Sequence, residues 1–234
     1  DVPVALPFME MWDDTSFATN VWSFEPEQGN WQLDAGNGNP APSAEFYWSP
    51  GTEDYSFALQ SRKLEGLPVE ETEAVLLDYD LFLSNFSLST VENMAVEVWD
   101  GADWVEVANY DNQGGRLPWT SYSHNITDLV TGLEWFQVRF RAWGANTFNI
   151  NWWFLDNIHV YQTTFVNFSG TITEQSSGDP IEGATIMLEN SRYEVQTGPD
   201  GTFAIDIQAG TYDVMLTADG YNPVTAEGVE ILED

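Results

Sequence analysis

Residues 94–110 read "MAVEVWDGADWVEVANY". Two runs rich in Val and Trp alternate apolar and polar side chains, the period of a strand with one buried face. Between them stands Asp100-Gly101-Ala102-Asp103, whose Asp-Gly pair is a hairpin signal. The stretch therefore predicts an antiparallel hairpin. Its texture recurs along the chain. In "WFQVRFRAWG" (135–144), Phe136, Val138, Phe140 and Ala142 oppose Trp135, Gln137, Arg139, Arg141 and Trp143. Connections such as "DAGNGNPAPSAEF" and "NQGGRLPWTS" carry Gly, Pro, Asn and Ser, which punctuate strands. Helical periodicity is nearly absent; only Val69 to Leu77 passes for a helical turn or two, and it reads equally as the approach to a strand. The expectation is an all-β protein.

Composition bounds the rest. The chain has 234 residues, 43% of them hydrophobic, including 11 Trp, 14 Phe and 9 Tyr, enough for one large or two ordinary folded domains. Six basic residues against 38 acidic ones give a net charge of −32. Such a surface repels phosphates and anionic lipid and attracts divalent cations, so nucleic acid and membrane insertion are not expected. No apolar run reaches the length of a membrane span. With no cysteine, disulfides, thiolate metal sites and Cys nucleophiles are excluded. The sequence has no starting Met and no signal pattern, and reads as a mature form or an excised fragment.

All 11 Trp lie before residue 162. The segment after it runs through short alternating strands and tight turns, among them Gly178-Asp179-Pro180 and Pro199-Asp200-Gly201. Domains at 1–162 and 163–234 follow, joined at "YQTTFVNF" without a Gly or Pro linker. The second segment, through "SGTIT", "GDPIEGATIML", "TGPDGTFAIDIQAGTYDVML" and "ADGY", resembles the carboxypeptidase regulatory-like domain. The resemblance implies a small transthyretin/Ig-like β-sandwich that acts as a spacer and has no catalytic residue.

In the first segment two carboxylates stand in apolar rows. Val4, Leu6, Phe8, Glu10 and Trp12 share one strand face, and Ile150, Trp152, Phe154, Asp156, Ile158 and Val160 share another. A buried carboxylate must find a partner or hold a proton. If the two strands are neighbours, Glu10 and Asp156 meet, and a hard cation such as Ca²⁺ is the simplest partner. The loop "LDAGNGNPAPSAE" would add oxygens, with Asp34 and Glu45 as candidate ligands. The alternative is that Asp156 accepts backbone N–H groups at a bulge while water reaches Glu10. The opening Phe8-x-Glu10 and the closing Leu155-Asp156-x-Ile158, with "YSFALQS", "AVLLDYDLFL" and "VEVWDGADWVEV" between, resemble bacterial cleaved-adhesin and MAM-type domains and calcium-binding carbohydrate-binding modules. That resemblance implies a jelly-roll sandwich whose first and last strands lie close and whose equivalent acids help hold a structural calcium.

Other constellations carry less. His124 and His159 make no zinc spacing, and no nucleophile elbow, phosphate loop or dinucleotide fingerprint occurs. Asp78 and Asp80 are a carboxylate pair of the kind glycosidases use, but pairs arise by chance among 38 acids. An enzyme is not expected. Trp135, Arg139, Arg141 and Trp143 form an aromatic and hydrogen-bonding face suited to sugar rings or peptide. Sequons occur at Asn85, Asn125 and Asn167. "DVPVALPF" reads as a first strand or as a strand donated to a neighbouring copy. The functional expectation is a secreted or cell-surface adhesion module, stabilised by calcium, with a glycan or protein ligand. The alternatives are a subunit of an extracellular filament or surface layer that binds its own copies, and the accessory region of a secreted hydrolase.

Overall fold

The computed structural model describes residues 2–66, 73–189, 191 and 193–232. The chain divides into two compact units, Asp1–Glu70 with Ala74–Gln162 and Thr163–Asp234 with Glu71–Glu73. In chain order the first holds β1 (Phe8–Glu10), β2 (Ser23–Glu25), β3 (Trp31–Asp34), β4 (Ser43–Tyr47), β5 (Glu53–Gln60), β6 (Leu64–Glu65), β7 (Glu73–Asn85), β8 (Glu92–Trp99), β9 (Trp104–Asp111), β10 (Leu117–Asn125), β11 (Trp135–Phe136), β12 (Val138–Asn146) and the start of β13 (Ile150–Thr171). The expected hairpin is β8–β9, closed at Trp99↔Trp104. Of the helical reading over 69–77, residues 69–72 lie outside the described residues, and from Glu73 the chain is strand.

Two sheets form the first sandwich. One has the order β10-β7-β13-β4-β3, with β1 also paired to β13 through Phe8↔Val160, Met9↔His159 and Glu10↔Ile158. The other has the order β2-β5-β12-β8-β9. Between them one core joins Phe46, Leu77, Tyr79, Leu81, Trp153 and Leu155 to Leu59, Met94, Val96 and Phe140. Phe136, Val138, Phe140 and Ala142 all face this core, as their alternation requires. The buried indoles keep their one donor satisfied: Trp12 Nε1 donates to the Leu155 carbonyl, Trp31 Nε1 to that of Phe57, and Trp153 Nε1 to Asn85 Oδ1. Asn85, of the first sequon, is engaged through both amide atoms, because its Nδ2 also donates to the Gly115 carbonyl.

In the second unit, β13 continues and its Phe165–Thr171 part pairs with β16 (Thr202–Gln208). A separate sheet has the order β15-β14-β17-β18, formed by β14 (Thr185–Leu188), β15 (Glu194–Gln196), β17 (Gly210–Thr217) and β18 (Val224–Ile231). Ile186, Leu188, Tyr193, Ile207 and Ile231 make its small core. The fold is all-β, as expected. Gly201 shows why a turn residue is fixed: at φ +74 a Cβ there would meet the Ile172 carbonyl oxygen at 2.5 Å.

Candidate binding face

The face of the first sheet that looks away from the core is set by a single irregularity. Along β13, Trp153, Leu155, Ile158 and Val160 belong to the core, whereas Phe154 and Asp156 do not. Strict alternation cannot give this set. Asn157 has φ 50, a left-handed backbone that shifts the parity of the strand by one residue. The row expected from period two is therefore corrected: Asp156 is no acid in the core stripe but stands on the outward side with Phe154. It is fully buried there, accepts from Asn39 N at 2.7 Å and from Asn157 N at 2.8 Å, and has Asp80 and Asp13 as its charged neighbours. Burial, reinforced by those like charges against the two N–H bonds, pushes its carboxyl up to about 6.

Asp80 is the hub of this network. It accepts from Asn39 Nδ2 at 2.9 Å, Asn157 Nδ2 at 2.7 Å and Ser121 Oγ. Asp78, the other half of the expected pair, accepts from Tyr161 Oη at 2.9 Å. His159 stacks on Tyr161, and burial lowers its pKa against the pull of Asp78.

The expected metal ligands divide. β1 and β13 are neighbours, as the carboxylate pairing requires. Glu10, however, accepts from Trp12 N at 2.8 Å, Trp22 Nε1 at 2.8 Å and Asn20 Nδ2 at 2.9 Å. It stands opposite Ile158, beside a cleft of about 270 Å³ that Asp13, Asp14 and Asn20 also line. Asp34 caps Gly36 N and Asn37 N, an Asx turn. Glu45 is held by Gln32 on the outward side of β4, and burial pushes its carboxyl up, the Asp34 charge adding to the effect. The structure thus brings Asp34 to Glu45, and Asp156 to Asp80 and Asp13. Among the described residues, no group of three acids, histidines or cysteines is arranged to hold a metal ion.

The same outward face carries the aromatic rings. Trp119 lies 5.7 Å from Phe82 and 6.1 Å from Phe154, and Arg116 stands over Phe82 at 4.9 Å. Trp152, 40% exposed, pairs across the strands with Tyr47, next to Glu45. Two indoles are thus presented over a sheet whose amides and carboxylates are already ordered by one another. The sequence holds one signal for the exposure of Trp152. Trp152 and Trp153 are adjacent in a strand, so one must point outward. Trp119 sits at a register shift between Leu117 and Thr120, which no alternation reveals.

The face expected to bind ligand is built differently. Arg139 and Arg141 both close on Glu97, at 2.6 Å and 2.8 Å. Arg139 also reaches Glu25 at 3.0 Å and lies over Trp104 at 4.2 Å, while Lys63 covers Trp135 at 3.8 Å. Trp99 and Trp135 stack with ring planes 4° apart, and Trp143 lies 5.5 Å from the Arg141 guanidinium. Arg139, Arg141 and Trp143 of β12 and Trp135 of β11 form a laminate of rings and cations in which both guanidiniums are engaged on carboxylates, while the buried Trp143 Nε1 has no hydrogen-bond partner among the described residues. Burial alone would raise the Glu97 carboxyl; the hydrogen bonds from Arg141 and Arg139 outweigh it and hold the group below its usual range.

The first unit is a β-sandwich, a fold shared with known proteins. Residues 167–234 match the family model of the carboxypeptidase regulatory-like domain. A carboxypeptidase D of Anas platyrhynchos is 23% identical over 141 residues, 58% of this chain but only 9% of that protein's length. The K1 cleaved adhesin domain of the Lys-gingipain of Porphyromonas gingivalis W83 shares the fold, with a TM-score of 0.50 and 12% identity over 66% of this chain and 97% of that domain. A carbohydrate-binding module described for specific mannan recognition follows, with a TM-score of 0.44 and 15% identity over 68% of this chain and 98% of that one.

Proposed function

We propose that the first unit is a non-catalytic adhesion module that binds an uncharged glycan on the outward face of the β10-β7-β13-β4-β3 sheet, outside the cell, with the second unit as its spacer. The observation that carries this is the pair Trp119 and Trp152 beside an ordered amide and carboxylate network. Indole faces stack on sugar rings, and fixed polar groups select hydroxyl positions. An uncharged ligand suits a chain of charge −32, which repels acidic polysaccharides. The adhesin likeness and the regulatory-like match support a binding and a spacing role. Among the described residues no helix is long and apolar enough to cross a membrane. Affinity electrophoresis through gels holding a panel of uncharged polysaccharides tests the proposal. At least one is expected to retard the protein, and Trp152→Ala or Trp119→Ala should weaken binding by tenfold or more, about 1.4 kcal/mol. Equal mobility in every gel would refute it.

A structural calcium ion stays within this proposal at a changed place. Asp156 faces Asp80 and Asp13, hard oxygen donors whose mutual repulsion a divalent cation would relieve. Against it stand the N–H donors already on Asp156 and the lack of a described three-acid group. Melting in calcium and in EDTA decides the matter. With a bound ion the midpoint rises by several degrees in calcium; identical melts remove it.

A further inference from the structure

We infer that the loop end formed by residues 48–52, 84–91 and 146–149 is a contact surface for a second copy of this chain, made by residues other than those of the proposed glycan face. Phe86, Leu88, Val91 and Phe148 are 63%, 49%, 49% and 52% exposed there. Monomer surfaces seldom gather so many large apolar groups in neighbouring loops without use. Phe148 meets Phe86 edge to face at 5.2 Å and Trp48 at 5.7 Å, so the row ends in free ring faces and edges.

The loops are built to leave water. Phe86 N and Ser87 N donate to the Asn149 carbonyl, and Asn112 Nδ2 donates to the Ser87 and Thr90 carbonyls. Behind them Glu92, wholly buried, accepts from Thr90 Oγ1, Asn149 Nδ2 and Asn146 N. Backbone polar groups satisfied internally remove the chief cost of covering a loop.

Charge selects the occupant. Residues 46–52, 81–91 and 142–155 contain no charged side chain, in a chain of 44 charged residues and net charge −32. Two copies that meet elsewhere press like charges together; at this end they do not. A partner with a charged face would lose hydration without a counter-charge. An uncharged patch that offers both ring edges and ring faces is self-complementary, as a two-fold contact requires. Glu53 and Asp111 stand at the borders of these loops, so their repulsion makes the association salt-dependent.

Sedimentation equilibrium of the full chain tests this. A reversible dimer is expected, tighter at high salt than at low salt. The double variant Phe86→Ser/Phe148→Ser should weaken it at least tenfold with an unchanged melt, since both rings are exposed. Val2→Ser, an exposed apolar residue elsewhere, should leave it unchanged. A monomer at every concentration and salt overturns the inference. So does an equal effect of Val2→Ser, or capture by uncharged phosphatidylcholine vesicles of a protein that stays monomeric in solution.

Discussion

Glu97→Gln is expected to destabilise the first unit by about 3–5 kcal/mol, the range for breaking a buried ion pair from one side. Glu97, with a side chain 6% exposed, is the common acceptor of Arg139 and Arg141, whose side chains are 12% and 24% exposed. The neutral amide leaves both guanidiniums in place with only Glu25, at the exposed rim, to answer one of them. The pH dependence has a definite sign. A carboxyl held below its unfolded value contributes stability that is present above the unfolded pKa and lost as pH falls through the folded one. Urea melts of the wild type should lose this contribution on acidification, while Glu97→Gln should not. A variant within 1 kcal/mol of wild type at neutral pH would show that the laminate is surface decoration.

Asp156→Asn is expected to act in the opposite direction, stabilising the protein by about 1–2 kcal/mol at neutral pH in EDTA. The carboxyl is raised from its ordinary 3.8 to about 6, a net cost of about 3 kcal/mol at full ionisation. The amide returns part of this gain because one oxygen cannot accept from both Asn39 N and Asn157 N as well as two did. For a raised carboxyl the penalty is absent below the unfolded pKa and complete above the folded one. The gap between variant and wild type should therefore close as pH falls from 7 to 4. A gap that does not change with pH, or a variant that is weaker at neutral pH, would contradict the account of Asp156. In calcium the sign reverses if an ion occupies the acids, which separates the two proposals.

What could be read before the fold was known follows from the range of each signal. Strand period and turn chemistry are local, so the 94–110 hairpin, the inward row Phe136 to Ala142 and the closing turns of the second unit were all legible. The nearness of β1 and β13 came from family resemblance and holds as Phe8↔Val160. The site was less legible because it turns on a one-residue event. At Asn157 the left-handed backbone shifts the parity of β13, and Trp152, Phe154 and Asp156 stand on the side opposite Ile158 and Val160. Asp156 thereby moves from the core stripe to the outward network. Glu97 was visible as an acid in a strand, but its two arginines come from β12 by a register that only the assembled sheet sets, Arg139↔Glu97. The same pairing turned an expected ligand face into an internally bonded wall.

The central claim is that the outward face of the β10-β7-β13-β4-β3 sheet, not the laminated face of the other sheet, holds the ligand. Indole N–H resonances, assigned by single Trp substitutions and followed during titration with the polysaccharide that retards the protein, test this most directly. Shifts confined to Trp119 and Trp152 are predicted. Shifts at Trp104, Trp135 and Trp143 with Trp119 and Trp152 unmoved would contradict it.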